Sequence, residues 1–192
     1  MWTRESGYGV ALVAATLTLV TSAPVASQDR PSSPPAAGPA LEHPTAPPFV
    51  PMSLIRHKGA QTAVRRAAEG AVQRLERPEC EAVFSDFTDK AGRPLAASLQ
   101  ALGQSGSAFF RTIVYADGAG LARCNDQGLV ALTVPGSRVV FVCGRQFARD
   151  AFARPLHAEA VLIHEALHSL GLGEDPPSAL EITSRVVARC IP

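Results

Sequence analysis

The residues of this chain best suited to chemistry are two histidines four residues apart, with an acid beside the first. They stand in Val161-Leu162-Ile163-His164-Glu165-Ala166-Leu167-His168. On an α-helix, residues four apart share one face on successive turns, so His164 and His168 can bind one ion together. Glu165 flanks the pair. It is too displaced to be a natural ligand, but it can reach a water on the ion and take its proton. Two imidazole ligands and a carboxylate base are the parts of a metal-assisted hydrolase. The neighbours Val161, Leu162, Ile163, Ala166, Leu167 and Leu170 are apolar, so the helix is expected to be buried on most sides. Low-dielectric walls strengthen a metal's effect on its ligands.

Gly171 ends the apolar run where a helix C′ residue commonly needs φ > 0. The extended pattern is His-Glu-x-x-His-x-x-Gly-x-x-Glu, closing on Glu174. It resembles the zincin metallopeptidases, and within them the metzincin layout, in which a glycine turn delivers the third ligand. The resemblance covers about fifteen residues. It implies Zn2+ held by His164, His168 and Glu174, with Glu165 as general base acting on a zinc-bound water and a peptide or protein as substrate. It also implies an edge strand near the active-site helix that pairs with the substrate backbone. Metzincins usually carry His, sometimes Asp, where this chain has Glu174. Their Met-turn has no counterpart, because Met1 and Met52 both lie upstream. Two rival third ligands remain. One is Asp175. The other is Glu181, which stands where gluzincins draw a ligand from a downstream helix. Ser178 and Glu181 also have the spacing of a capping box, which explains Glu181 without metal. The alternatives to an enzyme are a secreted metal-binding or interaction module with a zincin shell, and a disulfide-stabilised structural protein with a fortuitous motif.

The elements that must position these residues follow from periodicity. Gly59 to Arg77 has Ala60, Ala63, Val64, Ala67, Ala68, Ala71, Val72 and Leu75 at helical spacing. Cys80 to Asp89 reads as a strand or an irregular core segment, and Pro94 to Leu102 as a short helix. Phe109 to Tyr115 reads as a strand. Leu129 to Val134 and Arg138 to Cys143 read as two strands joined by Pro135-Gly136 in a type II turn. Phe147 to Phe152 bridges to the metal-site helix, which is expected to start near Pro155. His157, seven residues before His164, is read as a first-turn polar residue, with a contact to substrate or to a ligand as the alternative. A last helix runs from Ser178 to about Arg189, with Leu180, Ile182, Val186 and Val187 facing the core. The fold class is therefore α+β: a small zincin-like domain, helices on a short, largely antiparallel sheet, and the metal-site helix near the C-terminus.

Domain organisation and compartment follow from composition. Residues 1–27 read as a secretory signal, with Arg4, an apolar run from Val10 to Val20, and small residues before a cleavage site after Ser27. An uncleaved N-terminal anchor is the alternative. Residues 28–51 are proline-rich and read as a disordered linker. Residues 52–192 form the metal-binding domain. His43 and His57 are read as solvated. A formal charge of +1 gives no electrostatic case for nucleic acid or an anionic membrane. Export places the protein in a secreted or periplasmic compartment, where its four cysteines form two disulfides. The favoured pairs are Cys124 with Cys143 and Cys80 with Cys190.

Overall fold

The structure, a computed structural model, describes residues 49–191. The expected signal segment, most of the proline-rich linker and His43 lie outside the described residues. Among the described residues the architecture is α+β, with seven helices packed on a four-stranded mixed sheet. Among the described residues no helix is long and apolar enough to cross a membrane.

The sheet consists of β1 (Met52–Leu54), β2 (Val114–Asp117), β3 (Ala131–Thr133) and β4 (Val139–Val142), in the order β1-β2-β4-β3. β1 pairs with β2 and β2 with β4 in parallel; only β3 runs antiparallel, against β4. The expectation of a largely antiparallel sheet is thus corrected. The sequence reveals a local hairpin through its turn residues. The parallel pairs join segments far apart along the chain, β1 to β2 through α-helices and β2 to β4 through a 3₁₀ turn, Ala122–Asn125, and β3, the long crossovers that parallel neighbours require. The hairpin itself forms as expected. Ser137 N–H donates to Val134 O at 2.8 Å, and Gly136 has φ +85°, as the third position of a type II turn demands.

Helix α1 (Lys58–Leu75) buries Ala60, Val64, Ala67, Ala68, Ala71, Val72 and Leu75, the face that periodicity marks. His57 is its N-cap, with Nδ1 accepting from Ala60 N–H at 3.0 Å. Cys80 to Asp89 takes the irregular form: α2 (Pro78–Glu81) continues into a 3₁₀ turn, Ala82–Ser85, that buries Val83 and Phe84. α3 (Leu95–Ala101) follows, with Leu95 and Leu99 buried.

The apolar run from Phe109 is half helix. α4 (Gly106–Phe110) is started by Ser105, whose hydroxyl accepts from Ala108 N–H, and β2 begins only at Val114. A short apolar run cannot distinguish a buried helix from a strand. The segment around Phe147 is likewise a helix, α5 (Gly144–Ala153), which buries Phe147 and Asp150.

The metal-site helix is α6 (Pro155–Ser169), with Pro155 in its first turn as expected. It packs against α1, α5 and the sheet. Gly70 of α1 lies under it, because a Cβ there would come 2.5 Å from the Glu159 carboxyl group, which Arg74 holds in an ion pair.

The last helix is α7 (Ala179–Cys190), opened by the Ser178–Glu181 capping box. Its buried face is the expected one at Ile182 and Val186 but not at Leu180 and Val187. Ile182, Val186 and Cys190 are buried, whereas Leu180 is 77% exposed and Val187 is also exposed. The disulfide explains the rotation. Cys190 bonds Cys80, and that tether selects the 182/186/190 stripe as the inner face. Cys124 bonds Cys143, so both expected pairings occur.

Asp86, just past the 3₁₀ turn, receives Arg189 Nε and Nη2 at 2.9 and 2.8 Å and ties α7 to the helix preceding it. These bonds hold its carboxyl below the usual carboxylate range; burial works against them, and the charges of Arg189 and Arg185 assist. A lowered folded value means the contribution is complete above the ordinary aspartate range, near 3.9, and is lost as pH falls through the folded value. Asp86→Asn is expected to cost about 1–2 kcal/mol near neutral pH, because the charge-assisted bonds are partly exposed. Urea unfolding across pH 2–7 should show a shallower acid loss in the variant than in the parent protein.

Candidate metal centre

α6 carries both histidines on one face, and the helix end aims them. Gly171, at φ +106°, closes a Schellman turn: Gly171 N–H donates to His168 O at 2.8 Å and Leu172 N–H to Leu167 O at 3.2 Å. The turn brings Leu172 O to 2.8 Å from His168 Nδ1. A carbonyl only accepts, so Nδ1 carries the ring proton and Nε2 is bare in the neutral imidazole. His164 Nδ1 lies 2.9 Å from Thr183 Oγ1 of α7. The two Nε2 atoms are 2.9 Å apart. The type II turn between β3 and β4 is attached here too, with Gly136 N–H donating to His168 O at 2.9 Å.

Past the turn the chain returns to the histidines. Glu174 Oε1 lies 3.3 Å from His168 Nε2 and 3.6 Å from His164 Nε2. One donor atom from each of His164, His168 and Glu174 lies within 4.8 Å of the others, so the group could hold a metal ion. Glu174 is the acid that joins. Asp175 and Glu181 are not part of the group. Glu181 accepts from the Ser178 hydroxyl at 2.7 Å and from Ser178 N–H at 2.7 Å, and these bonds, the hydroxyl's first, hold its carboxyl below the ordinary range.

The arrangement suits a cation. Burial, then the neighbouring His168, pushes His164 down to about 3, so the contact between His164 and Glu174 is not a pairing of opposite charges. Where imidazole nitrogens present their lone pairs, a carboxylate oxygen facing them is electrostatically unfavourable unless a positive charge lies between them. The observed separations match donors placed about 2.0–2.2 Å from one central ion. Among the described residues the donor set is two nitrogens and one oxygen, and an ion held by these three would have room for a further ligand.

Glu165 stays outside the ligand group and lines the same cleft. It is only 6% exposed, and burial pushes it up to about 7; Thr133 nearby opposes the rise and the charge of Glu174 adds to it. The cleft has a volume of about 630 Å³ and runs along Gly128 to Pro135, which includes the whole of β3, the sheet's edge. His157 is on its wall, with Nδ1 2.8 Å from Asp150 Oδ2. Below Glu165, Tyr115 is fully buried, and burial followed by Glu165 raises its phenol well above the ordinary value.

Sequence reasoning did not single out Thr183, Tyr115, Thr133, Asp150 or the Leu172 carbonyl. Thr183 belongs to no motif, and a carbonyl is common to every residue. The only available signal was the helical period of α7, which puts Thr183 beside buried Ile182. Compared with protein-family models, curated proteins and solved structures, the chain matches none.

Groups that hold a ligand histidine's second nitrogen typically account for 10- to 100-fold in metal affinity. Thr183→Val should therefore weaken zinc binding by about that factor, measured by competition with a chromophoric chelator. Thr183→Ser should retain most of the parent affinity. Equal affinity in all three proteins would show that His164 needs no support from α7.

Proposed function

We propose that this protein is an exported zinc-dependent hydrolase with a zincin-like core, and that its substrates are peptides or proteins. The observation that carries the reading is the meeting of His164 Nε2, His168 Nε2 and Glu174 Oε1 at one point, with Glu165 beside them and outside the group. Zinc bound there would supply a Lewis acid and lower the pKa of a coordinated water towards neutrality.

The chain's own residues supply the rest. Leu172 O and the Thr183 hydroxyl keep the two rings turned inward. Glu165, buried and with a raised proton affinity, is suited to take a proton from attacking water and return it to the leaving amine. Burial by Val161, Leu162 and the sheet limits bulk water around that carboxylate.

The edge strand supports a polypeptide substrate. β3 pairs only with β4, so its other side offers backbone donors and acceptors to the cleft. An extended chain laid against it gains main-chain hydrogen bonds independent of its sequence. The two disulfides suit an oxidising compartment, in agreement with the secretory signal read in residues 1–27.

The test pairs metal content with turnover on a quenched-fluorescent peptide library. The parent protein is expected to bind one zinc and to cleave, losing activity to chelator and regaining it with zinc. Glu165→Gln should keep the zinc and lose roughly 100-fold or more in turnover. Undiminished cleavage by that variant, or loss of its metal, would contradict the role of Glu165. Zinc without turnover in the parent protein would assign a metal-binding module instead.

A further inference from the structure

The mechanism leaves a histidine of the cleft wall unused. His157 lies two turns before His164 on α6 and lines the same cleft, with its side chain 31% exposed. Behind it stands Asp150 of α5, whose side chain is 4% exposed and is also paired with Arg154. A buried carboxylate is costly unless it is hydrogen-bonded. Here it is placed where it can orient a ring in the cleft wall. Asp150 accepts from Nδ1–H across 2.8 Å, which leaves Nε2 as the acceptor of the imidazole. A carboxylate behind a histidine fixes both its tautomer and its orientation in this way.

Position along the helix limits what that nitrogen can do. Seven residues of α-helix separate His157 from His164, a rise of roughly 10 Å. An extended chain covers that distance in about three residues. His157 is therefore too far from the metal ligands to touch the reacting bond. It is within reach of a polypeptide lying along β3.

Resting on the peptide-hydrolase reading, we infer that His157 is a specificity-determining residue, its Nε2 accepting a hydrogen bond from a substrate backbone N–H about three residues from the metal. Asp150 is its positioning residue. This contact makes the cleft select extended chains over short amides and esters, because only a chain long enough to reach His157 gains it.

The test uses binding, so that turnover is not needed. The probes for the zinc-loaded full chain are acetohydroxamate and hydroxamates carrying four alanines, on one side of the metal-binding group or the other. Alanine is chosen because a backbone contact does not depend on side chains. His157→Asn keeps an N–H for Asp150 and removes Nε2. Asp150→Asn offers an amide donor to Nδ1 and so reverses the ring tautomer. Both variants are expected to bind acetohydroxamate like the parent protein and to lose roughly threefold to tenfold in affinity for one extended series. Unchanged affinity for both extended series, or equal loss for short and long probes, would overturn the inference. A parent protein that fails to bind acetohydroxamate would instead overturn the metal-hydrolase reading on which it rests.

Discussion

Two imidazole nitrogens 2.9 Å apart are the constraint on which the rest of this structure depends. Such a pair is unfavourable unless a proton or a cation lies between the rings. His168 is required to carry its hydrogen on the far nitrogen, because its partner there is the Leu172 carbonyl. Burial keeps His164 neutral. Glu174 then adds a third donor atom to the same space.

The elements around the pair can be understood as the supports of that constraint. The Schellman turn at Gly171 aims the Leu172 carbonyl and sends the chain back toward Glu174. α7 brings Thr183 against His164, and the Cys80–Cys190 bridge with the Asp86–Arg189 pair holds α7 in place. Gly136 N–H donates to His168 O, which anchors the hairpin to the helix end that carries the histidines. A site held from three directions is better preorganised than one resting on the helix alone.

Burial divides the acidic residues by role. Glu165 is inside, and its proton affinity is raised; Glu174 is exposed and lies next to the rings. Glu181 and Asp86 are held ionised by hydrogen bonds, one at a helix start and one between helices. The proposed chemistry needs just such a division, with one acid beside the ion and another beside the attacking water. His157 also differs from His164 and His168, since its partner is a carboxylate rather than a hydroxyl or carbonyl.

What the sequence by itself determined is local. The four-residue spacing of His164 and His168, the glycine stop, the Ser178–Glu181 cap, the Pro135–Gly136 turn and the buried face of α1 depend on neighbours within a turn or two, where period and side-chain chemistry suffice. Tertiary structure decided what involves distant residues. It made two of three strand pairings parallel, turned Leu180 outward, made helix of Phe109 and Phe147, and brought Thr183 to His164. It also chose Glu174 from three nearby acids. Those outcomes depend on which surfaces are buried together across the whole chain, and the spacing of residues along a sequence carries no record of that.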